Sequence, residues 1–307
     1  MSALKIGPKT FDWGARTFVM GILNLTPDSF SGDGLLSPSP LHPSPAGRGD
    51  GGEGGVSAAL DQARGFLADG ADILDVGGES TRPGSQMVTA AEEMERVLPV
   101  IRALAQEFPE AVISVDTYKA EVAQAALKAG AHLVNDVWGL RADPHLAEVV
   151  AKFGVPVVLM HNRSKPANAQ IQENLGGRYV GMEYKDLLED VKAELTEAMV
   201  LARKAGIPNE KIILDPGIGF GKTVEQNLEL LNRLDEIRAL GFPVLLGPSR
   251  KSFIGYTLNL PPDQRVEGTA AAVAVGIVRG ADIVRVHDVN MMARVARMTD
   301  AIVRPKA

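Results

Sequence analysis

Eight short apolar runs in this chain each end on, or lead into, side chains capable of polar chemistry. Asn24 follows the first run, Gly77-Gly78-Glu79-Ser80-Thr81-Arg82 the second, and Asp116 the third. Asn135-Asp136 closes the fourth, His161-Asn162 the fifth and Asp215 the sixth. The seventh leads into Ser249-Arg250-Lys251-Ser252, and the eighth carries Arg285 and His287. Any one of these would serve as a loop cap or a buried hydrogen-bond partner. All of them at the same end of successive strands point to one site. Asp116, Asn135 and Asp215 can accept from the N–H groups of an amino-substituted heterocycle and donate to its ring nitrogens. Arg82, Arg285 and His287 are cationic donors of the kind that hold phosphate oxygens, arginine bidentately. Lys251 suits either partner. The combination suggests a heterocycle carrying a phosphate or pyrophosphate.

The elements that must position these groups can be read from the same runs. Phe18–Leu23, Ile73–Val76, Val112–Val115, Ala131–Val134, Val157–Met160, Ile212–Leu214, Val244–Leu246 and Ile283–Val286 are mostly non-alternating, as expected of strands covered on both faces. Helical patterns lie between them: Ala58–Ala68, Ala90–Gln106, Lys119–Ala129, Pro144–Lys152, Tyr184–Ala205, Val224–Leu240, Gly268–Arg279 and Asn290–Val303. Gly-Ala pairs at 70–71, 130–131 and 280–281 read as helix caps just before strands. Eight strand–helix repeats predict a single-domain (β/α)₈ barrel, with a doubly wound open sheet as the alternative. In such a barrel the C-terminal strand ends carry function, which is where the polar residues fall. Residues 35–55, LLSPSPLHPSPAGRGDGGEGG, have too little apolar surface to order themselves and read as a flexible insertion in the first strand-to-helix loop.

Composition narrows the function. The 307 residues include no cysteine, which excludes disulfides, thiolate metal sites and cysteine nucleophiles. A net charge of −6 argues against a nucleic-acid surface. Met1 to Thr17 lacks a signal-peptide apolar run, and the longest apolar stretch, Ala270–Val278, is far short of the ~20 residues that span a bilayer. A cytoplasmic protein without membrane or nucleic-acid partners is therefore expected. Two motifs fail. Gly221-Lys222-Thr223 ends like a phosphate-binding P-loop, but the required earlier glycine is Pro216. Gly217-Ile218-Gly219-Phe220-Gly221 lacks dinucleotide spacing.

Taken in order, the blocks VMGILNLTPDSFSGDG (19–34), DILDVGGESTRPGS (72–85), ISVDTYKAEVA (113–123), GAHLVNDVWGL (130–140), PVVLMH (156–161), ILDPGIGFGK (213–222), SRKSFIG (249–255) and RVHDV (285–289) resemble the dihydropteroate synthases. The resemblance covers about 18–303. It implies condensation of 6-hydroxymethyl-7,8-dihydropterin pyrophosphate with 4-aminobenzoate, Mg²⁺ as cofactor, inhibition by sulfonamides and a homodimer. By residue, it implies a pterin-binding set of Asp116, Asn135, Asp215 and Lys251, with Met160 and Phe220 as apolar walls that could equally be core. Asn24, Arg285 and His287 resemble the pyrophosphate site, joined by Thr81 and Arg82, with Asn24 also the metal ligand. Phe30 from the first loop, Thr81 and Pro83 from the second, and Ser249 would frame the aminobenzoate. Asp116, Asp215, Lys251 and Asp33 carry the catalytic expectation. The family's first loop commonly reads D-S-F-S-D-G. Here Asp28-Ser29-Phe30-Ser31 is followed by Gly32 and then Asp33, one place later, with the insertion directly behind. A pterin-dependent methyltransferase domain is the nearest rival, but it would have no need of the SRK and RVH blocks. A non-catalytic paralogue would be expected to have lost Asn24, Asp116, Lys251 or His287, and all four are present.

Overall fold

The computed structural model describes residues 3–26, 53–81, 87–172, 174–180 and 182–304. The chain opens with two antiparallel strands, β1 (Leu4–Ile6) and β2 (Lys9–Phe11), too short to stand out in the sequence. Then come β3 (Phe18–Asn24), α1 (Glu53–Asp69), β4 (Ile73–Gly77), α2 (Ala90–Glu107), β5 (Val112–Asp116), α3 (Ala120–Ala129), β6 (Leu133–Asp136), α4 (Leu146–Phe153) and β7 (Val157–Met160). A small hairpin, β8 (Ala169–Gln172) and β9 (Gly176–Tyr179), occupies the long loop before α5 (Leu187–Lys204). The rest is β10 (Ile212–Asp215), α6 (Val224–Asn232), α7 (Leu234–Arg238), β11 (Leu245–Leu246), α8 (Ser252–Leu258), α9 (Val266–Val278), β12 (Ile283–Val286) and α10 (Val289–Val303).

Eight of the strands form one parallel sheet in the order β10-β7-β6-β5-β4-β3-β12-β11. A parallel bridge from Leu214 to Val244, the residue before β11, joins the two ends of the sheet. The molecule is thus the expected (β/α)₈ barrel. Inside it, strand residues alternate between the barrel axis and the helix layer. The N-terminal segment that begins with β1 and β2 closes the floor: Phe11 and Trp13 stack with Phe18, at ring centroid distances of 4.6 to 5.6 Å, beneath Met20, Ile213 and Ile283. Burying Phe11 alone contributes roughly 1.5–3 kcal/mol. Outside the strands, Val19, Leu74, Ile113, Val134, Leu159 and Leu214 meet the helices in a second continuous core.

Three boundaries differ from the sequence expectation in instructive ways. The fourth barrel strand begins at Leu133, not Ala131, because the Ala131 N–H caps α3 by donating to the Ala126 carbonyl at 3.0 Å. The shift is by two residues, so every side chain keeps its face. The Ala71 and Ala281 N–H groups cap their helices the same way, on Phe66 and Gly276 at 2.8 and 2.9 Å. The pattern over 224–240 forms two helices separated at Arg233 rather than one. Helix α1 begins at Glu53, inside the stretch read as insertion; the remainder of that insertion lies outside the described residues. Among the described residues no helix is long and apolar enough to cross a membrane.

Candidate active site

Period-two alternation decides what faces the barrel axis above the floor. On β5 the inward series is Val112, Ser114, Asp116, and on β4 it is Ile73, Asp75, Gly77, with the two strands in register throughout. β12 gives Ile283, then Arg285; β10 gives Ile213, then Asp215; β6 gives Leu133, then Asn135. Each series starts apolar at the floor and turns polar toward the C-terminal mouth. Asp116 and Asn135 are register partners, as are Asp215 and Met160.

At the mouth these side chains meet. The Arg285 guanidinium lies between two carboxylates, donating from Nε to Asp75 at 2.6 Å and from Nη2 to Asp116 at 2.6 Å. Asn135 Nδ2 donates to the same Asp75 oxygen at 3.1 Å. Asp215 accepts from the Gly217 N–H at 2.7 Å, which fixes the carboxylate where the chain leaves the strand. Lys251, the residue before α8, reaches the Ile218 carbonyl, and its Nζ lies 4.3 Å from the centre of the Phe220 ring. Met160 is buried, and Phe220 is half-buried on this same loop. Thus Asp116, Asn135, Asp215, Lys251, Met160 and Phe220, all expected to hold the heterocycle, face one mouth. Arg285, expected beside the pyrophosphate, stands at the same mouth with its guanidinium between Asp75 and Asp116.

Low solvent access sets the electrostatics. Burial pushes the Asp116 carboxyl up to about 7, with Arg285 opposing and the Asp75 charge adding to the rise. Burial also raises Asp215, against the pull of Lys251 and the Gly217 N–H. Lys251 is lowered to about 8 by burial, with Asp215 opposing. Burial disfavours the Arg285 cation too, but Asp75 and Asp116 outweigh it and hold the guanidinium charged. Carboxylates and cations kept dry and within contact are the arrangement that stabilises charge appearing on a bound ring.

The residues expected on the leaving-group side come from other strand ends. Asn24 is half-buried at the end of β3, beside Gly77 in the sheet. His287 follows β12, and its Nδ1 lies 2.9 Å from Ser249 Oγ, which also accepts from the His287 N–H at 3.2 Å. Ser249 therefore orients the imidazole. Thr81 is half-buried at the last described position of its loop. Phe30, Asp33, Arg82 and Pro83 lie outside the described residues. Among the described residues no group of three or more His, Cys, Asp or Glu converges as a metal cage. The single amide oxygen of Asn24 does fit Mg²⁺, a hard ion that keeps water and phosphate oxygens as most of its ligands.

Several groups missed from sequence alone hold this site in place. Lys222 is fully buried behind the loop after β10, with Nζ 2.9 Å from the Gly217 carbonyl, 3.1 Å from that of Phe220 and 2.9 Å from His161 Nδ1. His161 in turn faces Glu194 at 3.3 Å, and burial lowers its pKa to about 4, so the ring is neutral. Arg265, also buried, binds the carbonyls of Arg250, Leu260 and Leu175, tying the SRK turn to the β8–β9 hairpin. The glycine-rich stretch that forms no nucleotide motif has its reason here. Gly217 has φ +70° and Gly221 φ +60°, and a Cβ at either would collide with backbone at His161 or at Arg163-Ser164. A neighbouring groove of about 700 Å³ is lined by Arg163, Met182, Tyr184, Asp190 and Gln226. Its arginine is committed to Glu194 and Asp190, at 2.5 and 3.2 Å, which sets it apart from the mouth.

Proteins of known activity share this arrangement of elements. The profile of the pterin binding enzyme family matches residues 46–287. A dihydropteroate synthase of Clostridium beijerinckii is 48% identical, over 98% of this chain and 100% of its own. The dihydropteroate synthase of Clostridium difficile, solved in the presence of pteroic acid, superposes with a TM-score of 0.81 at 47% identity, covering 96% of this chain and 99% of that one. That of Yersinia pestis, solved with a sulfonamide drug, superposes with a TM-score of 0.84 at 40% identity, covering 98% of each chain.

Proposed function

The chain belongs to the pterin-binding enzymes and within them to the dihydropteroate synthases, and from that premise we propose how its residues divide the reaction. It is a transferase of folate biosynthesis, joining 6-hydroxymethyl-7,8-dihydropterin pyrophosphate to 4-aminobenzoate with release of pyrophosphate. The observation that carries the division is the meeting of Asp116, Asn135, Asp215, Lys251 and Arg285 at one mouth.

The pterin lies there, its ring N–H groups on Asp215 and Asp116 and its ring acceptors facing Asn135 and Lys251. Met160 and Phe220 are its apolar walls. When the bond from the methylene carbon to the pyrophosphate oxygen breaks, the electron pair leaves with the pyrophosphate and positive charge spreads into the ring. Fixed carboxylates stabilise that charge without reorganising. His287, steadied by Ser249, binds the departing group from the other side. Asn24 would hold Mg²⁺ through its amide oxygen, and what such an ion supplies is neutralisation of charge on the pyrophosphate. Thr81, Pro83, Phe30 and Ser249 are proposed to frame the aminobenzoate, Thr81, Arg82 and Arg285 to join the pyrophosphate side, and Asp33 to stand for the acidic residue of the first loop. The aromatic amine is weakly basic and largely neutral, so its lone pair attacks without an enzymic base and its proton passes to solvent.

Mixing the pterin pyrophosphate, 4-aminobenzoate and Mg²⁺ with the protein is expected to release pyrophosphate far faster than any mixture lacking the aminobenzoate. A sulfonamide is expected to compete with the aminobenzoate alone. Release that aminobenzoate does not accelerate, or inhibition competitive with the pterin, would remove the reading. A pH profile tests the electrostatics. Asp116 is a carboxylate above about 7 and Lys251 an ammonium below about 8, so kcat/KM should peak between them as a narrow bell whose limbs belong to the coupled set. Lys251→Arg, which does not titrate in this range, should lose the alkaline limb.

The homodimer is proposed through α9 and α10. Val278, Met298 and Ile302 on these helices are 58%, 64% and 66% exposed, whereas Met292 is buried and Val295 packs on the core. Clustered apolar exposure of this kind marks association surfaces. Ile302→Glu is expected to shift sedimentation from twice the 32.6 kDa chain mass to the monomer. A variant that still sediments as the dimer would move the interface elsewhere. The cytoplasm is the compartment we propose.

A further inference from the structure

Asp75 stands in the middle of β4, two residues below Gly77, and its side chain is fully buried inside the barrel. Its cross-strand neighbours are Ile22 and Ser114. Oδ2 accepts from Arg285 Nε at 2.6 Å and from Asn135 Nδ2 at 3.1 Å, and the other arm of Arg285 holds Asp116 at 2.6 Å. One buried carboxylate thus ties together three groups at the pterin mouth. Its second oxygen, Oδ1, has no hydrogen-bond partner among the described residues, and neither has Ser114 Oγ on the adjacent strand. Stability alone gives little reason to keep such a group. Buried ion pairs are often matched or bettered by apolar residues of similar volume, and a half-satisfied buried carboxylate is costlier still.

We propose that Asp75 is a positioning residue for the reaction: it fixes Arg285 and Asn135 and places, one layer below the ring, a carboxylate that the pterin cation meets as it forms. The proposal rests on the reading that the pterin occupies the mouth. With asparagine at 75, Arg285 loses one of the two carboxylates that hold it and is left on Asp116 alone, so its guanidinium is no longer fixed from below. Asn135 loses a carboxylate acceptor, and the developing cation loses a carboxylate beneath it. A neutral bound ring feels that loss weakly; the cationic transition state feels it fully. The aminobenzoate, outside this network, should not feel it.

The test is Asp75→Asn in the full chain, with folding checked by circular dichroism and the active fraction by stoichiometric pterin binding. kcat per active site should fall by about 30-fold or more. KM for the pterin pyrophosphate should stay within about fivefold of the parent and that for aminobenzoate should be unchanged, as expected when charge acts mainly on the transition state. A folded variant with parental kcat overturns the proposal. So does a variant whose activity falls only in proportion to its active fraction. If Asp75→Asn does not fold, Asp75→Glu takes its place, since it keeps the charge but displaces it by one methylene. A loss of about fivefold in kcat with the same KM pattern is then expected, and parental kcat again overturns the assignment. Asp215→Asn is measured alongside. If it keeps parental activity, the reading of the mouth itself fails and Asp75 falls with it. If it loses activity while Asp75→Asn does not, only the role of Asp75 fails.

Discussion

Asp215→Asn is expected to lower kcat/KM for the pterin pyrophosphate by about three orders of magnitude while leaving the protein at least as stable as the parent. The loss follows from removing a fixed, poorly hydrated carboxylate from the ring that must carry charge. The stability follows from the same burial. In the folded protein the Asp215 carboxyl is held above its ordinary range, so folding favours its protonated form. The ionised group therefore costs folding free energy, and that cost appears as pH rises from the ordinary carboxyl range toward the folded pKa. Asparagine does not ionise. Its melting temperature relative to the parent should thus improve as pH increases. A variant that lost activity together with several degrees of melting temperature at high pH would make Asp215 a structural residue.

Lys222→Ala is expected to have the largest effect among residues that do not touch substrate. Burial holds the Lys222 pKa well below its ordinary value, Nζ lies within hydrogen-bond distance of two carbonyls and of His161 Nδ1, and truncation leaves the Gly217 and Phe220 carbonyls buried with their donor removed. A cost of about 3 kcal/mol is reasonable for such a cluster, enough to lower the melting temperature by several degrees. The loop from Gly217 to Gly221 also loses its anchor, and with it the placement of the Ile218 carbonyl and Phe220 ring against Lys251. Pterin affinity should fall at least tenfold. Lys222→Met, which refills the volume without the donors, should recover much of the stability and little of the affinity. Differential scanning calorimetry and pterin titration on both variants separate the two effects. Equal recovery of both would mean that the Lys222 side chain only fills space.

Much of the fold and the rim is legible in the sequence itself, and the reasons are particular. Parallel strands covered on both faces are apolar throughout, which makes them stand out, and Val157–Met160 and Ile283–Val286 occur as read. The rim is legible because each run stops at a polar residue. What lies deeper is not. Asp75 sits within an apolar run, Ile73 to Gly77, and nothing in the sequence says that Arg285, 210 residues later, lies beside it. Counting inward positions up the strand could have raised the question, since a charge at an inward place needs a partner. Lys222 stands in a stretch that only imitates a nucleotide motif. Its use depends on three polar atoms gathered by the fold from the end of β7 and from its own loop. The N-terminal strands and the β8–β9 hairpin are three or four residues each, too short for periodicity to register.

Calorimetric titration tests directly the proposed division of the mouth into a heterocycle side and a leaving-group side. A dihydropterin without pyrophosphate and inorganic pyrophosphate with Mg²⁺ would each be titrated into the parent, Asp215→Asn and His287→Ala. Asp215→Asn is predicted to lose the pterin and keep pyrophosphate, and His287→Ala to lose pyrophosphate and keep the pterin. Equal weakening of both ligands in both variants, or undiminished pterin binding to Asp215→Asn, would contradict the division.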